Sequence, residues 1–269
     1  MADLRITEIN IYPVKSTAAI SLAESRVTPK GLALDRRWML VDQEGQAITG
    51  REFPALTLVR SCANQQDLAL TASGMPELRI PYECDADMLR AVVIWGDECT
   101  AIALGEDADR WFSQYLGYPC HLVQMSDAHP RQLDPDVAHP GDAVSFADGF
   151  PLLIISAASL EDLNRRLSAP VSMGHFRPNL VVNGCVAYAE DSWRQIRIGD
   201  VVFEGVKNCS RCVFTTIDPD TGMKHPRQEP LRTLGTYRRR ADGGVFFGQN
   251  FIPRGEGTVR LNDTVEIVA

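Results

Sequence analysis

Apolar and polar residues along this chain fall mostly into short runs, and only twice does the spacing switch to a helical period. Residues 4–12 are rich in β-branched side chains, although the alternation is imperfect between Ile6 and Ile9. Residues 38–41 run into the turn-forming stretch 42–46 and leave through Ala47-Ile48-Thr49, which predicts a hairpin. Further runs follow at 56–60, 68–71, 78–80, 91–94 and 100–103, most of them separated by Gly, Pro, Asn or Asp. Many short strands at such spacing predict a barrel or sandwich. Ala108, Trp111, Phe112, Tyr115 and Leu116 then mark one helical face, closed by Gly117 at a C-cap position. A second helix is expected from Ser159, with Asp162 three residues on as a variant capping box, and an apolar face of Leu160, Leu163 and Leu167 before Pro170. The polar stretch 126–143, holding Pro130, Pro135 and Pro140, predicts a long surface loop or a domain connection. Strand patterns return at 179–183, 195–198, 201–206, 213–216, 258–261 and 264–268, with hairpin turns expected at Gly199-Asp200 and Asn262-Asp263.

Composition narrows the partners. At 269 residues, 45% hydrophobic and 23% charged, the chain has the make-up of a globular protein with one large core or two packed domains. Its net charge of −8 argues against non-specific nucleic-acid binding, so an anionic ligand would need a local cluster of cations. Residues 1–14 lack a basic stretch leading into an apolar run, and no signal peptide is expected. The best apolar stretch, 150–158, is too short to span a bilayer and contains Pro151. A soluble, cytoplasmic protein without membrane or nucleic-acid partners is the expectation. Cys62, Cys84, Cys99, Cys120 and Cys185 are scattered singly, which fits reduced thiols rather than a disulfide framework.

The remaining two cysteines, Cys209-x-x-Cys212, carry the strongest chemical signal. Arg211 directly precedes Cys212, and a thiolate beside a cation is a nucleophile or a soft-metal ligand. A structural zinc site would need about four ligands, and His225 is a lone further candidate. A thioredoxin-like pair should open a helix, whereas the β-branched run 213–217 favours a strand. A single working thiolate at Cys212 is the third reading, and two buried structural cysteines the plainest. Two cationic motifs stand apart: Tyr12-Pro13-Val14-Lys15-Ser16, and Phe176-Arg177-Pro178-Asn179, where Pro178 pushes the arginine's backbone extended. A lysine point charge and an arginine fork together suit a phosphate, yet each alone reads as a solvated surface charge, as does Arg36 beside Asp35. Asp218-Pro219-Asp220-Thr221-Gly222 is a turn by composition and falls short of a calcium loop. Arg238-Arg239-Arg240 reads as a solvated patch or a docking face.

Taken together, these segments resemble the MOSC family, in members that carry a MOSC N-terminal β-barrel domain. The resemblance rests on 12–16, on 31–38 with Asp35-Arg36, on 156–160, Phe176-Arg177-Pro178-Asn179, 188–193, 198–200, 209–222 and Phe247-Gly248-Gln249-Asn250. It implies a mainly β (α+β) fold, with an N-terminal β-barrel-like domain at 1–122 packed on a MOSC β-barrel with a few helices at 123–269. Within that family the chain resembles the mitochondrial amidoxime-reducing components and the bacterial reductases of N-hydroxylated bases. They imply a molybdenum cofactor whose metal takes its protein sulfur from Cys212. Ser210 and Arg211 would lie at that cofactor, with Lys15, Ser16, Arg36, Arg177 and Asn250 lining its pterin and phosphate. The implied activity is reduction of N–OH to N–H in a small molecule. Some bacterial members carry a fused ferredoxin-like domain, and no cluster spacing occurs here, so electrons would come from a separate ferredoxin, flavodoxin or flavin reductase. The alternative within the family is a cofactor or sulfur carrier with a persulfide on Cys212. One departure stands out: Gly149-Phe150 precedes Pro151 where the amidoxime reducers have a Thr-Ser pair.

Overall fold

The computed structural model describes residues 3–269, so the first two residues of the N-terminal stretch considered above lie outside it. The molecule is mainly β. Its backbone is an eight-stranded sheet whose order runs Ile20–Leu22, Arg5–Ile11, Leu180–Asn183, Leu152–Ser156, Phe246–Arg254, Val201–Ser210, Gln195–Ile198 and Val265–Ile267. All pairings in it are antiparallel except Leu152–Ser156 with Leu180–Asn183, which the helix Ala157–Asn164 connects. The imperfect alternation near the N-terminus becomes a register shift between Ile6 and Glu8, a bulge that lets Ile6 and Ile9 both face the core.

A second, five-stranded sheet orders Leu89–Ile94, Asp97–Ala103, His121–Met125, Trp38–Val41 and Ala47–Ile48, so the expected first hairpin is present. With the three-stranded sheet Arg60–Ala63, Asp67–Thr71 and Leu78–Pro81 and the helix Glu106–Leu116, it encloses a core of Trp38, Leu56, Leu68, Phe112 and Leu122. That is the β-barrel-like N-terminal part. Gly117 closes the helix in the left-handed conformation at φ 63°. The chain order and the spatial order differ in one important respect. Arg5–Ile11 leaves the N-terminal part and completes the C-terminal sheet, and His121–Met125 runs across the expected boundary at 122/123.

Four local expectations are corrected. Residues 54–58 form a 3₁₀ turn in place of a strand beginning at 56, because Pro54 starts it and the Thr57 hydroxyl donates back to the Pro54 carbonyl at 2.9 Å. Residues 213–216 are likewise a 3₁₀ turn, held by Thr215 and Thr216 hydroxyls donating to the carbonyls of Cys212 and Val213 at 2.9 and 2.7 Å. The second helix begins earlier than Ser159: Ser156 is the N-cap and its Oγ accepts from Ser159 N. The last two strands do not form a hairpin, since Gly257–Arg260 pairs with Glu24–Thr28 and Val265–Ile267 with Gln195–Ile198. The strand Phe246–Arg254, central to the large sheet, has no counterpart in the hydrophobic pattern, because Gly248 and Pro253 interrupt it.

Candidate active site

A cleft of about 300 Å³ opens between the two sheets. The strand Val201–Ser210 delivers one wall. It ends as Arg211 N donates to Val245 O at 2.7 Å, and the chain then turns so that Cys212 caps the 3₁₀ turn 213–216. Ser210, Arg211 and Cys212 all line the cleft. Asn250 reaches it from the neighbouring strand, registered against Leu153 and Lys207. Gly248 makes that strand possible: at φ 83°, a Cβ there would sit 2.7 Å from Ile155.

The opposite wall comes from the N-terminal part and from the Phe176–Asn179 turn. Lys15 is buried, with Nζ donating to Phe146 O at 2.8 Å and paired with Asp148. Burial lowers its pKa, and Asp148 pulls it back. Arg36 donates to both oxygens of the buried Asp35, at 2.9 and 2.7 Å, and to Arg177 O at 3.2 Å. Arg177 donates to Thr17 O at 2.8 Å. The two guanidiniums each lie 4.1 Å from the ring centre of Tyr12. Burial pushes the Tyr12 hydroxyl up to about 12, against the pull of Arg177 and Arg36. It lowers Arg177 to about 10, which leaves the guanidinium charged at neutral pH. Ser16, Arg36 and Arg177 all hold left-handed backbone, at φ 72°, 49° and 56°, so Arg177 departs from the extended backbone expected ahead of Pro178. Such conformations cost about 1–3 kcal/mol each and persist where the surroundings impose them.

All eight residues picked out from the sequence therefore line one cleft. The neighbour assigned to Cys212 is a different matter. The Arg211 guanidinium bonds the Cys209 sulfur and Phe176 O, because residues two apart along an extended segment share a side and adjacent ones do not. Arg211 thus ties Cys209 to the cleft wall, and its side chain makes no hydrogen bond to Cys212, which lines the same cleft. Asn179, quoted only as part of its motif, is structural: its Oδ1 accepts from Leu153 N at 3.1 Å and its Nδ2 donates to Asn10 O at 3.2 Å.

Among the cleft residues that sequence reasoning misses are Arg51, Trp95 and Asp148. Asp148 binds Lys15, accepts from Trp95 Nε1 at 3.3 Å and from Arg51 Nη2 at 3.3 Å. Desolvation in the cleft works to raise its carboxyl, but Lys15, Arg51 and Arg36 outweigh this and hold it well below the usual carboxylate range. Trp95 is 46% exposed and left-handed at φ 56°, with Arg51 stacked 4.1 Å from its ring centre. The one available signal was local, since Asp148 directly precedes the unusual Gly149-Phe150 pair. No atom lies within 4 Å of where a Cβ at Gly149 would point, so the cleft is open there. His175, also on the cleft, is held below its ordinary pKa by burial, and its ring is uncharged at neutral pH.

Residues 3–119 match the MOSC N-terminal beta barrel domain and residues 141–266 match the MOSC domain. The chain belongs to the MOSC family. Similar curated MOSC proteins include mitochondrial amidoxime-reducing component 1 of Mus musculus, 38% identical over 98% of this chain and 82% of its own length. The Homo sapiens protein of the same name is 36% identical over the same shares. Mitochondrial amidoxime reducing component 2 of Rattus norvegicus is 35% identical over 97% of this chain and 82% of its own. Among the described residues no helix is long and apolar enough to cross a membrane.

The MOSC cleft suits a polyanion that brings metal ligands of its own. Among the described residues no group of three or more His, Cys, Asp or Glu could hold a metal ion, so Cys212 could be only part of a metal's coordination. Arg177 Nη2 and Arg211 Nε are buried donors without a protein partner, and both residues face the cleft. Buried donors of this kind cost free energy unless a ligand satisfies them. Five further groups, Lys15, Arg36, Arg51, Lys207 and Ser16, surround the same space, against the single carboxylate of Asp148.

Proposed function

We propose that this chain is a molybdenum-cofactor-dependent oxidoreductase that reduces N-hydroxylated small molecules, with electrons supplied by a separate carrier protein. The observation that carries the reading is the convergence of Cys212 with Lys15, Arg36, Arg177 and Arg211 on one cleft of an otherwise acidic protein, two of these arginines each keeping a buried donor without a protein partner. The names of the relatives, as amidoxime-reducing components, support the substrate class. A two-unit division at 1–122 and 123–269 and a cytoplasmic setting belong to the same proposal.

In this reading Cys212 offers the soft thiolate ligand, catalytic and metal-binding at once. Arg177 and Arg211 would face the anionic part of the cofactor with their positive charge, and Lys15, Ser16, Arg36, Ser210 and Asn250 would line the rest of its seat. When bound, the cofactor would supply the two-electron step in which N–OH, two electrons and two protons give N–H and water. The protein's own work is to preorganise charge. Asp35 fixes Arg36, Tyr12 spaces Arg36 from Arg177, and Asp148 keeps the Lys15 proton at Nζ. Trp95 and the open side of Gly149 leave room at the mouth for a planar substrate.

The test pairs elemental analysis with reduction of an amidoxime by a dithionite-reduced dye, on protein from a cofactor-competent host. Wild type is expected to carry molybdenum and to turn over, and Cys212→Ala to do neither. A stable extra sulfur on Cys212 without metal would support the sulfur-carrier alternative instead.

A further inference from the structure

We propose that Trp95 determines substrate specificity, its indole serving as the platform for a flat, uncharged aromatic group, an inference that rests on the reductase reading above. Trp95 and Gly96 form the two-residue turn between the strands Leu89–Ile94 and Asp97–Ala103, where Ile94 pairs with Asp97. Their φ values, 56° and 92°, are both positive, the pattern of a type I′ hairpin turn. Asn, Asp or Gly fits the first of these positions most easily, and a bulky side chain there is an outlier. The turn itself therefore does not explain a tryptophan. Nor does the core. Trp38, Trp111 and Trp193, the other tryptophans of the chain, are at most 5% exposed, against 46% for Trp95.

Its surroundings hold the indole in the cleft. Trp95 Nε1 donates to Asp148, and the Arg51 guanidinium stacks on the ring. Two residues on, Asp97 accepts from Arg131 Nε at 2.8 Å. The buried Arg131 donates onward to Ala147 O at 2.7 Å and to Asp148 O at 3.3 Å. The turn is thus tied at two points to the segment that leads into the open side of Gly149. The phenyl rings on the cleft, Phe150, Phe176 and Phe214, are buried or half-buried, so Trp95 presents the largest open aromatic surface there. An aromatic group gains both apolar contact and offset stacking on such a surface, and an aliphatic group of equal charge gains no stacking. Charge narrows the choice further. Lys15, Arg36, Arg51 and Lys207 line the same space and repel a cationic substrate, while the bound polyanion would repel an anionic one.

The probes are benzamidoxime and acetamidoxime, which share the reacting group, are uncharged at neutral pH and differ in the ring. By titration calorimetry on the cofactor-loaded full chain, wild type should bind benzamidoxime about three- to tenfold more tightly. Trp95→Asn, which suits the turn and removes the indole, should reduce that preference to less than about twofold. Trp95→Phe should keep most of it. In dye-driven turnover the change should fall on the KM for benzamidoxime rather than on kcat, because the indole holds the ring and not the reacting group. Molybdenum content should be equal in all three chains. A wild type without the preference, or a preference that survives in Trp95→Asn, would overturn the proposal. So would loss of molybdenum in Trp95→Asn, since the indole would then belong to the seat of the cofactor. Absence of dye-driven turnover of both probes by wild type would instead count against the reductase reading, and the calorimetric preference is read independently of it.

Discussion

The chain carries two kinds of cation, and they are built differently. The inner ones, Lys15, Arg36 and Arg177, are enclosed and fixed to backbone carbonyls, a buried carboxylate or an aromatic face. The outer ones, Lys207, Arg227, Arg232 and Arg239, are exposed and unpaired among the described residues. Enclosing a charge costs solvation and is worthwhile only for a partner that stays, whereas exposed charges steer partners that come and go. One chain therefore holds enclosed, fixed cations at the cleft and exposed, unpaired cations on its surface.

The contrast has consequences for stability, the largest at Asp35. This carboxylate is 1% exposed, pairs with Arg36 and accepts from Tyr12 N at 2.8 Å. Asp35→Ala should destabilise the fold by about 3–5 kcal/mol in urea unfolding, because it strands an enclosed guanidinium. Next comes alkaline pH. Tyr12 titrates at about 12 in the folded protein, against an ordinary value of 10.0, so it contributes stability below pH 10 that is lost as pH rises toward 12. The loss should reach about 3 kcal/mol, and the phenolate absorbance of wild type minus Tyr12→Phe should appear near pH 12. Gly50→Ala would put a Cβ 2.5 Å from the Phe214 ring, and about 1–3 kcal/mol should be lost with a shifted Phe214. Thr215→Val removes the hydroxyl bonded to Cys212 O and should cost about 1 kcal/mol, with faster alkylation of Cys212 by iodoacetamide as the local readout. At the bottom of the scale, Arg227→Gln and Arg239→Gln should leave stability within about 0.5 kcal/mol of wild type. An exposed-cation substitution as costly as Asp35→Ala would erase the distinction between the two kinds.

Most strands were legible because β-branched runs bounded by turn residues are a local signal, as at 38–41, 67–71 and 97–103. Where threonine hydroxyls bond back to carbonyls three residues earlier, the same composition gives a 3₁₀ turn, and 213–216 misleads for that reason. The strand Phe246–Arg254 was hidden because its partners lie far away in sequence and supply what Gly248 and Pro253 take from its pattern. In the site, motif residues such as Lys15 and Arg177 were legible through resemblance. Arg51, Trp95 and Asp148 were not, since nothing but the folded cleft brings 51, 95 and 148 together. The Arg211–Cys209 contact was readable in principle from strand alternation, but adjacency to Cys212 was the more obvious pattern.

The bulged first strand bears on how the molecule comes into being. Arg5 pairs with Asn183, and Ile6 N donates to Asp263 O at 3.0 Å, so this strand can pair early with Ile20–Leu22 but lacks its other neighbours until much of the chain has followed. At about 5–20 residues per second that wait is on the order of 10–30 s. During this interval Ile6, Ile9 and Ile11 have only nearby residues such as Leu22, Val27 and Leu32 of their core to pack on, which makes them a natural station for a chaperone.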